Sequence, residues 1–180
     1  LRLDEKRVDV QLLLAEVFVS LDRRGDALSQ YQNIAFLFEQ QGDLPQAVSV
    51  YQSMLSLDPH NIPLHVKLAE LFLAQQDTQQ ATQEFEKALH ELASQERWGD
   101  YLKVGERLLF IDPNNMEVLR RLSSIYLQQN EVMKAVAKLQ IAYKHNPRDT
   151  ETLELLIEAF TVLRQPPKAL SVLQQLAEVY

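Results

Sequence analysis

The sequence predicts an all-α fold, an α-solenoid of antiparallel helix hairpins with about ten helices in all. Three observations predict it. Blocks of residues recur at a fixed interval: Leu68-Ala69-Glu70-Leu71-Phe72 answers Leu14-Ala15-Glu16-Val17-Phe18 after 54 residues. Ala81, Phe85 and Ile111-Asp112-Pro113 answer Ala27, Tyr31 and Leu57-Asp58-Pro59 at the same interval. Apolar residues also fall at helical spacing between breaks at Gly and Pro, and no stretch alternates as a strand does. Finally, Pro59, Pro113 and Pro147 close their segments at matching places, which a sustained coiled-coil heptad does not allow.

Residues 1–7 are charged and read as a helix start or a fraying end. Residues 8–21 give the first helix, with Leu14, Ala15 and Phe18 on its inner side. Arg23-Arg24-Gly25-Asp26 is expected to break it, since glycine suits a left-handed C-terminal cap. Residues 27–40 give a second helix, apolar at Tyr31, Ile34, Ala35, Leu37 and Phe38. Gln41-Gly42-Asp43 is the next break, with Asp43 as N-cap and Pro45 in the tolerated first turn. The third helix is 44–57, and Asp58-Pro59-His60-Asn61 ends it, because proline cannot continue the ladder and restricts the residue before it. From Ile62 the order repeats. The last helix covers 168–180 with Leu170, Val172, Leu173, Leu176 and Val179. No polar capping helix follows, so the chain is expected to be a fragment of a longer array.

With Met116 as position 1, Leu119 falls at 4, Leu122 at 7, Ser123 at 8, Tyr126 at 11, Ala135 at 20, Leu139 at 24, Ala142 at 27 and Pro147 at 32. This order resembles the tetratricopeptide repeat (TPR), whose period is about 34 residues with the pattern W-x2-L-G-x2-Y…A-x3-F…P. Leu119 stands where the pattern has Trp and Ser123 where it has Gly. The resemblance implies a right-handed superhelix that acts as a protein-binding scaffold.

The 54-residue interval exceeds one such repeat by about 20 residues, roughly one helix. Ala27 and Tyr31 fit positions 20 and 24 of a repeat starting at Val8. Tyr31, Ile34, Ala35 and Phe38 also fit positions 4, 7, 8 and 11 of one starting at Leu28. One helix then serves two overlapping repeats, which requires an apolar surface wider than a single stripe; Phe85, Ala88, Leu89 and Leu92 do the same later. The single solenoid 1–180 thus divides into three-helix units 8–61 and 62–115 and ordinary repeats 116–149 and 150–180. The alternative is a longer second helix followed by an insertion.

Composition narrows the chemistry. The 180 residues are 46% apolar and 24% charged, as in globular proteins. There is no cysteine, hence no disulfide or thiolate. A net charge of −7 argues against a nucleic-acid partner, which needs clustered Lys and Arg. The longest apolar run, 12–21, is interrupted by Glu16 and Ser20 and is too short to insert across a membrane. Four glycines leave little material for phosphate or dinucleotide loops. His60, His65, His90 and His145 lack metal-ligand spacing and are expected to be solvated or helix-capping. No catalytic residue, metal or cofactor is expected. Trp98, the only tryptophan, is expected to plug the turn of its repeat, where Leu44 and Val132 sit in others; an exposed partner anchor is the alternative. Tyr101 and Gly105 reverse the small-then-large order of Ala47 and Tyr51. A mid-helix glycine costs about 1 kcal/mol, so close helix approach is expected to compensate.

In the TPR family, positions 2, 5, 9 and 12 of the first helices commonly point into a concave face. The resemblance therefore implies a partner-binding face of Leu12, Glu16, Gln32, Phe36, Val66, Glu70, Leu73, Arg120, Ser124, Glu154 and Glu158, flanked by Val19, Glu39, Glu86, His90, Leu127 and Thr161. Apolar Phe36, Val66 and Leu73 beside Glu16 and Glu70 suit an amphipathic or basic segment. If shared helices distort the mapping, Phe36 is core instead. Family members that grip a C-terminal carboxylate want Lys and Asn at positions 5 and 9. Here Arg120 and Ser124, and Val66 and Glu70, stand there, so that mode is not expected. The expected function is a non-enzymatic scaffold or adaptor for a peptide or partner protein. The alternative is an array element that self-associates through its end helices into homo-oligomers. The Gln-rich, Cys-free style resembles long bacterial adaptors of motility, polarity or secretion machinery, and a cytoplasmic location is expected.

Overall fold

A computed structural model describes the backbone of residues 2–180 and the side chains from Val8 onward. Its ten helices are α1 (Arg2–Ser20), α2 (Arg24–Gln41), α3 (Leu44–Leu57), α4 (Ile62–Ala74), α5 (Thr78–Ser94), α6 (Trp98–Ile111), α7 (Met116–Gln128), α8 (Val132–His145), α9 (Thr150–Val162) and α10 (Pro166–Val179). No strand occurs among the described residues, so the fold is all-α as expected. Side chains of 1–7, read as a fraying end, lie outside the described residues. The internal interval reappears in the helix bounds: α3 and α6 begin and end 54 residues apart, and α1 and α4 end 54 apart.

The helices form two compact units, Leu1–Ser94 with α1–α5 and Gln95–Tyr180 with α6–α10. The boundary falls inside the span 62–115. Within each unit every helix packs on its successor in sequence, and α7 also meets α9. That is the contact pattern of stacked hairpins. Close approach depends on small residues: Ala15, Ala27, Ala35, Ala47, Ala69, Ala81 and Ala135 are all fully buried. Ser123 takes the place of alanine in α7. Its hydroxyl donates to the Leu119 carbonyl at 2.7 Å and lies 3.4 Å from the Ala135 carbonyl of α8. Tyr101 and Gly105 show the expected compensation between α6 and α7. A Cβ added at Gly105 meets Leu122 Cδ2 at 2.9 Å.

The turns correct one expectation. Gly25 does not end α1; it lies in the first turn of α2, and Asp22 takes the left-handed conformation at φ 55°. The same conformation recurs at Gly42, Gln76, Glu96, Asn130 and Arg164. In five of these turns the next residue's N–H bonds back to the carbonyl of an aromatic residue: Phe18, Phe38, Phe72, Tyr126 and Phe160. The left-handed residue turns the chain so that this N–H points back at a carbonyl of the last helical turn, the closing bond of a helix C-terminus. Asp43 caps α3 as expected, accepting from the Gln46 N–H at 3.3 Å. Among the described residues no helix is long and apolar enough to cross a membrane.

Candidate partner-binding face

In the first unit, α2, α3 and α4 meet at a polar knot. Glu39, near the end of α2, accepts from the Tyr51 hydroxyl of α3 at 2.8 Å and holds Lys67 Nζ of α4 at 2.7 Å. Burial, then the Glu39 bond and the charges of Glu39 and Glu70, push the Tyr51 hydroxyl far up, so it remains a donor. Glu70 is therefore brought to this knot. Glu16 faces α2 in the same way: burial first and the Glu16 charge second raise the Tyr31 hydroxyl. Phe36 is 60% exposed, so it is not a core residue. Gln32 and Glu16 are exposed; Leu12, Val66, Glu70 and Leu73 are half-buried. Tyr51 and Lys67 were absent from the expected face. Their signal was the placement of Tyr51 at repeat position 24, opposite a position-12 carboxylate.

The charge of the chain is unevenly placed. Of 18 Lys and Arg and 25 Asp and Glu, residues 1–94 hold 7 and 14, and residues 95–180 hold 11 and 11. The whole net charge of −7 thus belongs to the first unit. Between Gly25 and Ser94 the only Lys or Arg residues are Lys67 and Lys87. Each is already held by a carboxylate, Lys67 by Glu39 and Lys87 by Glu84 at 2.6 Å.

In the second unit Arg120 is not presented as a loose cation. Its Nη1 lies 3.2 Å from Asp149 Oδ1 and its Nε 2.7 Å from Glu151 Oε2, tying α7 to the start of α9. Ser124 is half-buried, and Glu154 and Glu158 are exposed on α9. A bracket like that of Glu39 recurs: Glu106 of α6 accepts from the Tyr126 hydroxyl at 2.9 Å and from Lys138 Nζ at 2.5 Å. Trp98 is half-buried, edge-on to Tyr101 at 6.1 Å, with the Arg121 guanidinium 4.8 Å above its ring. These contacts give it a structural place at the first turn of α6.

The histidines need a correction. His65 is neither solvated nor a cap. It is buried between α4 and α5, with Nδ1 2.7 Å from Glu84 Oε2 and Nε2 2.9 Å from the Pro59 carbonyl. His60, in contrast, is exposed, 2.9 Å from Glu91 Oε1.

Residues 38–103 match the family model of the tetratricopeptide repeat. No curated protein sequence matches the chain. Among solved structures, a double mutant of MamA RS-1 superposes with a TM-score of 0.51 at 14% identity, covering 84% of this chain and 74% of that one. Another MamA structure gives 0.50 at 15%, covering 81% and 94%. YrrB, a TPR protein with an unusual peptide-binding site, gives 0.48 at 17%, covering 83% and 84%. At these identities the MamA likeness shows the fold. The position-by-position repeat pattern and the hairpins built on its small residues agree with the tetratricopeptide repeat that the family model finds over residues 38–103.

Proposed function

We propose that the chain is a protein-binding scaffold that holds a basic, amphipathic segment of a partner against the first-helix face of α1–α5, through Leu12, Glu16, Gln32, Phe36, Val66, Glu70 and Leu73. Phe36 carries this proposal. It leaves a large apolar ring in water, 60% exposed, within the unit that holds the entire net charge of −7. Burying such a ring contributes about 1.5–3 kcal/mol, and complementary charge adds specificity and speed of encounter. The scaffold is taken to be non-enzymatic, cofactor-free and cytoplasmic, with 8–61 and 62–115 as its three-helix units; the matching helix bounds support that division.

The test uses the full chain as bait. Phe36→Ala and the pair Glu16→Lys/Glu70→Lys are expected to lose a partner that Glu154→Lys/Glu158→Lys retains. A partner held equally by all three variants sinks the proposal.

Self-association through the end helices is a second proposal, supported by a comparison internal to the chain. Leu14 is 40% exposed, whereas its equivalents Leu68 and Leu122 are 1% and 0%. In α10, Leu173 is 49% exposed, whereas its equivalent Leu139 in α8 is 0%. Both faces fit a further helix. Sedimentation that stays monomeric at high concentration removes this proposal.

A further inference from the structure

We infer that His65 is held as an imidazolium, a charged pin that fastens the α3–α4 turn to α5 and releases the turn on the alkaline side. The ring nitrogens decide this. Nδ1 faces the Glu84 carboxylate at 2.7 Å and Nε2 faces the Pro59 carbonyl at 2.9 Å. Both partners only accept, while a neutral imidazole has one N–H to give. Two donors require either a doubly protonated ring or a protonated Glu84. Lys87 Nζ, 2.6 Å from the other Glu84 oxygen, selects the first. Burial pushes the Glu84 carboxyl up, but the His65 and Lys87 bonds outweigh it and hold it below the usual range. On His65 the Glu84 bond leads; with the Pro59 bond it outweighs burial and the Lys87 charge and keeps the ring above its ordinary range.

The pin replaces what the fold ordinarily puts there. Its repeat position holds Leu119 and Leu153 elsewhere, both fully buried. The position of Glu84 holds Val172 in the last repeat, in one cluster with Leu153. An ion pair this deep is costly unless every lone pair is met, and here the turn carbonyl supplies the last acceptor. The titratable groups around it are Glu84, Glu86, Lys87, His90 and Glu91 from α5 and His60 from the turn. A cavity of about 440 Å³ alongside is lined by Pro59, His60, Gln83, Glu86, His90 and Glu91 among others.

The sign follows from the raised histidine. Its contribution is complete below the unfolded value, about 6.5, and disappears as pH rises through the higher folded value. When one proton leaves, the bond to the charged carboxylate is the stronger and is kept. The Pro59 carbonyl is then freed, and with it the cavity wall at Pro59 and His60.

Imidazole nitrogen NMR on the full chain tests this. Both His65 nitrogens should be protonated at about pH 7, with a midpoint above 6.5, and amide exchange at His60 and Asn61 should accelerate through that midpoint. In Glu84→Gln the carboxamide can donate to Nδ1, so a neutral ring satisfies both contacts and the midpoint should drop below 6.5. The double variant His65→Leu/Glu84→Val, which installs the Leu153/Val172 pair, should lose less melting temperature than the wild type between about pH 6 and about pH 9. A singly protonated His65 ring at about pH 6, or an unchanged midpoint in Glu84→Gln, overturns the inference.

Discussion

Glu96 illustrates what single residues bear in this fold. It holds the left-handed conformation at φ 54° with a side chain that disfavours it, a strain of about 1–2 kcal/mol. Only Gly42 among the six such turns is relieved of it. Glu96→Gly is expected to raise the unfolding free energy by about 1 kcal/mol, read as a higher urea midpoint at constant slope. Gly105→Leu works in the other direction. With Leu122 Cδ2 already 2.9 Å from an added Cβ, the variant should lose about 1–3 kcal/mol while still capturing partners as the wild type does. The sequence made Gly105 legible because Tyr101 four residues earlier signalled a traded volume. It misplaced the turn at Gly25, since the hairpin register is set by the Phe18 carbonyl and its bond from Arg23. Glycine's freedom was a weaker signal than the repeat itself, whose equivalents of Asp22 are Gln76 and Asn130.

At the scale of helices, the caps show how the repeats are punctuated. Asn61 and Asn115 cap α4 and α7 by accepting from the Leu64 and Val118 N–H groups. Asp149 does the same for α9, accepting from the Thr152 N–H at 3.0 Å while also taking Arg120. Burial pushes its carboxyl up, but Thr152 and Arg120 prevail and hold it below the ordinary aspartate range. A depressed carboxyl contributes stability above its unfolded value, and that contribution is lost as pH falls through the folded value. Asp149→Ala should therefore cost about 0.5–2 kcal/mol at neutral pH. Asp149→Asn, the residue used in α4 and α7, should retain most of the cap and show a smaller loss below about pH 4, both measured by chemical denaturation. Caps, prolines and helix bounds were legible because each is local. The His65–Glu84 pair was not, because it joins helices 19 residues apart. Pairing repeat positions 4 and 23 across all repeats, as Leu153 and Val172 do, would have exposed it.

For the whole molecule, charge is the property that separates the units. The first carries −7 and the second is neutral. A basic partner's affinity should therefore fall as salt rises from about 0.05 to about 0.5 M, because exposed charges are screened over about 4–14 Å in that range. Reversal of Glu16 and Glu70 should flatten that dependence. Affinity that ignores salt, with Phe36→Ala as damaging as before, would show the apolar ring acting alone. The net charge was legible in the sequence, but its confinement to one unit became visible only once the boundary after Ser94 was known.

That boundary also has an optical consequence. The chain has a single indole, Trp98, and it lies in the second unit, under Arg121 and against Tyr101. Tryptophan fluorescence therefore watches α6–α10 alone, while far-ultraviolet dichroism sums all ten helices. Melting one unlabelled sample with both detectors measures directly how far the two units share a single transition.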